Sequence, residues 1–162
     1  MNRVEKNLYY LSIAREVSKR STCIRRHYGA VIVKDDIIVA TGYNGSARGE
    51  VNCCDTGICY REQQNIPHGE RYELCKAVHA EMNAIIQAGF EKTNGATLYL
   101  AGTEQSEIAK IVGVWESIKK PRPCLMCWRV IKNAGILKVV CGDPLVTHDY
   151  DTLFTNEEEE KP

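Results

Sequence analysis

Residues Cys75–Ala88 read CKAVHAEMNAIIQA and run into Gly89, and Pro123–Gly135 read PCLMCWRVIKNAG. These two stretches are built alike, and together they decide the fold. In the first, Ala80, Ala84, Ile85 and Ala88 make an apolar face of small residues. A helix over Cys75–Ala88 can therefore lie close against a sheet, with Gly89 as its C′ residue. In the second, Pro123 suits a helix start, Cys124 and Cys127 share a face at i and i+3, and Gly135 ends the element. Two such helix N-termini meeting over a sheet bring His79, Cys124 and Cys127 together. Their partial positive charge favours thiolate over thiol.

One imidazole and two thiolates offer zinc three corners of a tetrahedron and leave the fourth to water, as in a catalytic rather than a closed structural site. Glu81, two residues beyond His79, can move protons without binding the metal. A lone Cys-x-x-Cys says little, because redox pairs and zinc knuckles share it. Joined as H-x-E…P-C-x-x-C, the pattern is the signature of zinc-dependent nucleobase deaminases. A solvated helix position is the bland alternative for Glu81, and the two cysteines downstream weigh against it.

Outward from these stretches, residues 3–20 space Val4, Leu8, Leu11, Ala14 and Val17 for one face of an amphipathic helix. Ala30–Lys34 and Ile37–Thr41 flank Asp35-Asp36 and read as a β-hairpin. Gly42–Gly49 (GYNGSARG) is a glycine-rich loop, and residues 50–74 are an irregular excursion with cysteines, Pro67 and Gly69. Ala96–Ala101 and Leu137–Cys141 are buried strands. The order of elements implies a three-layer α/β/α sandwich with a mixed central sheet. One domain is expected over residues 1–155, followed by an acidic, disordered tail over 156–162.

Composition narrows the function. The chain has 162 residues, 44% of them hydrophobic, and 21 basic residues balance 21 acidic ones. Zero net charge counts against a nucleic-acid partner. No apolar stretch approaches a membrane span, and no secretory core follows Arg3 and Lys6, so a cytoplasmic protein is expected. Eight cysteines without an export signal read as reduced thiols and metal ligands rather than disulfides.

Several other residues carry chemistry. Asn44, within Gly42-Tyr43-Asn44-Gly45, can donate and accept hydrogen bonds beside a closely approaching backbone, and a turn-forming asparagine is the alternative. Ser46 can offer a hydroxyl to a nucleotide. Arg25 and Arg26 are the pair suited to a monophosphate, since a guanidinium can hold two phosphate oxygens. Arg48 is a weaker candidate, and His27 suits either a structural or a phosphate role. Cys23, Cys53, Cys59 and Cys75 can form a second, closed Cys₄ zinc site pinning residues 50–74, with Cys54 as a substitute for Cys53 and His68 in reserve. Buried free thiols are the alternative.

The zinc signature, together with Cys23-Ile24-Arg25-Arg26, Gly29-Ala30-Val31-Ile32-Val33, Thr41-Gly42-Tyr43-Asn44-Gly45 and His79-Ala80-Glu81-Met82-Asn83-Ala84-Ile85, resembles the deoxycytidylate branch of the zinc-dependent cytidine/deoxycytidylate deaminases. The resemblance covers about residues 5–145. It implies the cytidine-deaminase-like fold and hydrolysis of dCMP to dUMP and ammonia, supplying a precursor for dTMP synthesis. It places Asn44 at the deoxyribose 3′-hydroxyl, Ala80 among the substrate contacts, and Cys53 in the second zinc set. It also implies a homo-oligomer, often a hexamer, with dCTP activating and dTTP inhibiting at a site built partly on the Gly42–Gly45 region. One departure from the family is the stretch Gly102–Arg122 before Pro123, in which Ile108–Ile118 has helical spacing. A deaminase of another small substrate or of tRNA adenosine, and a zinc-binding module without activity, are the competing readings. The Arg-Arg and Gly-Tyr-Asn-Gly segments, neutral charge and Glu81 argue against them.

Overall fold

A computed structural model of the chain describes residues 3–67, 69–105, 110–111, 113–145 and 150–155. His68 and the acidic tail from Asn156 lie outside the described residues. Helix α1 (Lys6–Ser18) is capped by Glu5, whose carboxylate accepts the Leu8 N–H at 3.0 Å. It buries Tyr10, Leu11, Ala14 and Ser18, whereas Val4 is exposed and Leu8 and Val17 are half-buried. The buried stripe is thus rotated from the expected one. Strand β1 (Arg26–Lys34) sets the rotation through Gly29, where a Cβ would stand 2.0 Å from the Ala14 carbonyl oxygen. Backbone-to-backbone contact at that point selects the face.

Asp35 and Asp36 both take positive φ, 51° and 61°, and turn β1 into β2 (Ile37–Tyr43) as a two-residue hairpin. The expected loop at Gly42–Gly49 is in part strand. Gly42 and Tyr43 finish β2, and β3 (Gly45–Ser46) pairs with β4 (Ala77–Val78). That pairing also shortens the helix expected over Cys75–Ala88. Ala77 and Val78 are extended, His79 becomes the N-cap, and helix α4 runs Ala80–Ala88. Among the described residues between β3 and β4 lie only the short helices α2 (Cys53–Thr56) and α3 (Tyr60–Gln63) and a 3₁₀ turn, Tyr72–Leu74. Val51, Ile58 and Tyr60 are exposed there, so the segment has little core of its own.

After α5 (Phe90–Thr93) the chain enters β5 (Thr97–Glu104), then β6 (Glu116–Ser117), α6 (Leu125–Asn133), β7 (Lys138–Gly142) and β8 (Tyr150–Phe154). The sheet order is β2-β1-β5-β7-β8, with β5 and β7 parallel, the other pairs antiparallel, and β6 on the part of β5 beyond β7. The helix expected over Ile108–Ile118 needs correction. Lys110 and Ile111 are helical and Ile108, Ala109 and Val112 lie outside the described residues, but Glu116–Ser117 are strand. The backbone groups of β5 left over by β7 draw them into the sheet, as the Ile118 N–H bond to the Gly102 carbonyl shows.

Alternate residues along the strands face opposite layers. Ala30, Ile32, Leu98, Leu100, Val139 and Cys141 pack with α4 and α6, whereas Val31, Val33, Tyr99, Ala101 and Val140 pack with α1. Gly42 lets α4 settle on the first face, since a Cβ there would stand 2.4 Å from the Ala80 carbonyl and the Ala84 nitrogen. This is the expected three-layer architecture with a mixed sheet. No helix among the described residues is long and apolar enough to cross a membrane.

Candidate metal centre and catalytic cavity

His79 is the N-cap of α4 and Cys124 the N-cap of α6, and Cys127 stands in the first turn of α6. Both caps are extended, which turns their side chains inward toward one point between the two helix starts. His79 Nδ1 lies 3.5 Å from Cys124 Sγ and 3.2 Å from Cys127 Sγ. A tetrahedral zinc with bonds of 2.0–2.3 Å needs donors about 3.5 Å apart, so this set fits the ion. Among the described residues it is the only group of three or more His, Cys, Asp or Glu with ligand atoms mutually within 4.8 Å.

The three donors are close enough to couple electrostatically. The Cys127 thiol holds the Cys124 sulfur down to about 4, with further help from His79, while burial opposes. The partnership with Cys124 pushes Cys127 up and raises His79 as well. The Cys127 N–H also points at Cys124 Sγ, 3.5 Å away, so the start of α6 supports the thiolate. A cation that displaces the shared protons is the natural occupant. Glu81 sits in the first turn of α4, only 5% exposed, and burial raises its carboxyl above the usual carboxylate range.

A cleft with about 780 Å³ of empty space opens from this centre. Its lining includes His79, Cys124, Glu81, Ala80, Asn44, Arg25 and Arg26. Asn44 is no left-handed turn residue; it is buried and bonded on both sides. Its Oδ1 accepts from the Tyr28 N–H at 2.7 Å and the Ser21 hydroxyl at 2.8 Å, and its Nδ2 donates to the Arg26 carbonyl at 2.9 Å. Its oxygen is thereby spent on the fold, and one N–H remains for a ligand. Arg25 pairs with Glu62 at 2.9 Å and Arg26 with Glu104 at 2.6 Å. Ser46 is not brought to this cleft. It lines a separate cavity with Tyr43, Arg48 and Asn83, and its hydroxyl donates to the Val51 carbonyl.

Cys23, Cys59 and Cys75 line the catalytic cleft, and Cys53 lines an adjoining cavity with Cys59 and Cys75. Burial pushes the Cys23 and Cys53 thiols up, and the neighbouring thiols of the group add to it. Among the described residues no three of the four sulfurs come within 4.8 Å of each other, unlike the first set. Cys54 is exposed and its thiol faces Asp55 at 3.6 Å. His27 lies outside the cleft lining; it stacks on Trp115 at 3.6 Å and bonds the Cys23 carbonyl. Sequence reasoning missed Arg61, Tyr72 and Arg122, which also line the cleft. Arg122 stands two residues before a ligand and Arg61 two residues after Cys59, a proximity in sequence that signals both.

The family model for the cytidine and deoxycytidylate deaminase zinc-binding region matches residues 4–143. The deoxycytidylate deaminase of Schizosaccharomyces pombe is 35% identical over 133 residues, 82% of this chain and 35% of that protein. The deoxycytidylate deaminase of Mycobacterium phage D29 is 34% identical over 145 residues, 86% of this chain and 96% of that protein. The crystal structure of dCMP deaminase from the cyanophage S-TIM5 in complex with dCMP and dUMP superposes with a TM-score of 0.55 at 25% identity, over 86% of this chain and 83% of that one. The chain spans about a third of the yeast relative's length and nearly all of the phage D29 protein's. The matched residues include His79, Glu81, Cys124 and Cys127, and the chain belongs to the cytidine and deoxycytidylate deaminase zinc-binding family.

Proposed function

We propose that the chain hydrolyses dCMP to dUMP and ammonia with one catalytic zinc at His79, Cys124 and Cys127. The observation that carries the reading is Glu81, buried beside the metal set in a cleft lined by four arginines and no other carboxylate among the described residues. Arg25, Arg26 and Arg122 are already ion-paired, so Arg61 is the lining arginine that leaves a place for an anion, and Glu81 is the acid that can handle protons. Bound zinc supplies water activated at neutral pH. Glu81 takes one proton from the attacking water and delivers it to cytosine N3 as the water oxygen bonds to C4. It then takes the second proton from that oxygen and gives it to the amine as the C4–N4 bond breaks and ammonia leaves. Asn44 offers its remaining N–H to the sugar, Ala80 at the start of α4 forms the floor of the cleft, and Arg25 and Arg26 add positive potential at its rim. The phage structure that binds dCMP and dUMP, and the relatives named for dCMP, support this substrate over tRNA. Ammonia release from dCMP, CMP and deoxycytidine in parallel tests it. A clear preference for dCMP is expected, and equal use of deoxycytidine overturns the substrate assignment.

The same reading extends to a second, structural zinc held by Cys23, Cys53, Cys59 and Cys75. Its support is the clustering of these thiols around a segment without a core. Closing on the ion draws the sulfurs closer than they now stand. The homo-oligomer, and dCTP and dTTP as effectors, belong to the same proposal. The cavity of Tyr43, Ser46 and Arg48 borders the β3/β4 pair that leads directly to His79, which gives an effector a mechanical route to the metal centre.

A further inference from the structure

Four arginines line the catalytic cleft, and three of them already hold a carboxylate. Arg25 holds Glu62, Arg26 holds Glu104, and Arg122 holds Asp151 at 2.7 Å. Arg61 differs in each respect. It is only 5% exposed, and among the described residues no carboxylate lies within ion-pair distance of it. Its Nη2 donates to the Pro67 carbonyl at 2.7 Å and to the Glu70 carbonyl, and its guanidinium carbon lies 4.8 Å from the Tyr72 ring centroid. Among the described residues its buried Nε has no hydrogen-bond partner. Carbonyl dipoles and a ring face soften a buried charge without neutralising it, and a buried cation lacking a counter-ion is costly to the fold.

We propose that Arg61 is the direct anchor of the substrate's 5′-phosphate, a role that rests on the nucleotide reading above. A phosphate entering the cleft would have to displace a carboxylate to reach Arg25, Arg26 or Arg122. At Arg61 it supplies the missing counter-ion, and the charge-assisted bond forms with no carboxylate to displace. The Tyr72 ring stands edge-on to the His79 ring, 5.3 Å between centroids, so one aromatic ring separates the cation from the metal ligand. Arg61 therefore fixes the far end of the nucleotide and leaves the base to Glu81. Its position on α3, two residues after Cys59, places it in the segment whose conformation the second cysteine set would hold.

The test compares dUMP with deoxyuridine by titration calorimetry on zinc-loaded wild type and R61Q. Wild type should bind dUMP more tightly than deoxyuridine, and R61Q should weaken dUMP about 10- to 100-fold while leaving deoxyuridine within about twofold. Equal weakening of both ligands makes Arg61 a structural residue and overturns the proposal. So does phosphate discrimination that survives in R61Q or is absent from wild type. If R61Q does not fold, the Arg61 Nε–H resonance of ¹⁵N-labelled wild type decides: it should shift with dUMP and not with deoxyuridine, and no shift with dUMP overturns the assignment. Ammonia release from dCMP by wild type is measured alongside. Its absence refutes the deaminase reading alone, because the dUMP comparison still tests Arg61.

Discussion

Glu81 and Asn44 show how two buried polar side chains in one cleft divide their work. The Glu81 carboxyl bonds to Cys127 and to its own backbone N–H, contacts that a glutamine amide can keep. Glu81→Gln should therefore keep its zinc and its stability and lower dCMP turnover about 10²- to 10⁴-fold, the usual span for a lost general acid–base. Near-normal turnover with bound metal would contradict the mechanism. Asn44 is the opposite case, with three hydrogen bonds tying Ser21, Tyr28 and Arg26 together. Asn44→Ala leaves buried backbone groups without partners and should cost about 2–4 kcal/mol in chemical denaturation. A loss of substrate affinity without a loss of stability would show that the side chain serves the ligand alone. The juxtaposition of His79, Glu81, Cys124 and Cys127 was legible in the sequence because their spacing within each helix start is local. The arginine partners were not. Arg26 meets Glu104 only because β1 and β5 pair in the register that sets those two residues opposite each other, and no local pattern encodes that distance.

Among the elements, close approach of backbones decides the layering. Gly29→Ala should lift α1 from the sheet and destabilise the chain by about 1–3 kcal/mol or more, since the new methyl collides with a carbonyl rather than with a flexible side chain. An unchanged unfolding midpoint would mean that α1 docks elsewhere. The hairpin at Asp35-Asp36 and both signature helices were readable from turn chemistry and small-residue faces. The start of α4 was not, because β4 takes Ala77 and Val78 out of a helical pattern by pairing with β3, a contact between segments far apart in sequence. Strand β8 also escaped notice. It is an edge strand with half-buried and exposed positions, so it lacks the apolar run that marked β5 and β7.

For the whole molecule, the sheet and its helices form a core on both faces, while the stretch between β3 and β4 relies on something other than apolar burial. A loop of this length inside a compact domain needs a tie. Metal analysis should find two zinc ions per chain, and Cys59→Ser should remove one, loosen residues 50–74 in hydrogen exchange and leave the catalytic ion in place. One zinc per chain, with all four of these thiols freely titratable, would falsify the second site and leave the first untouched. The central claim is that the His79, Cys124 and Cys127 centre performs a zinc-dependent hydrolysis of dCMP. Its most direct test is ammonia release from dCMP as zinc is returned to chelated protein. Turnover should be absent without metal, appear as the ion is restored, and yield one dUMP per ammonia. Full turnover in the chelated protein, or none after zinc is restored to the folded chain, would contradict the account.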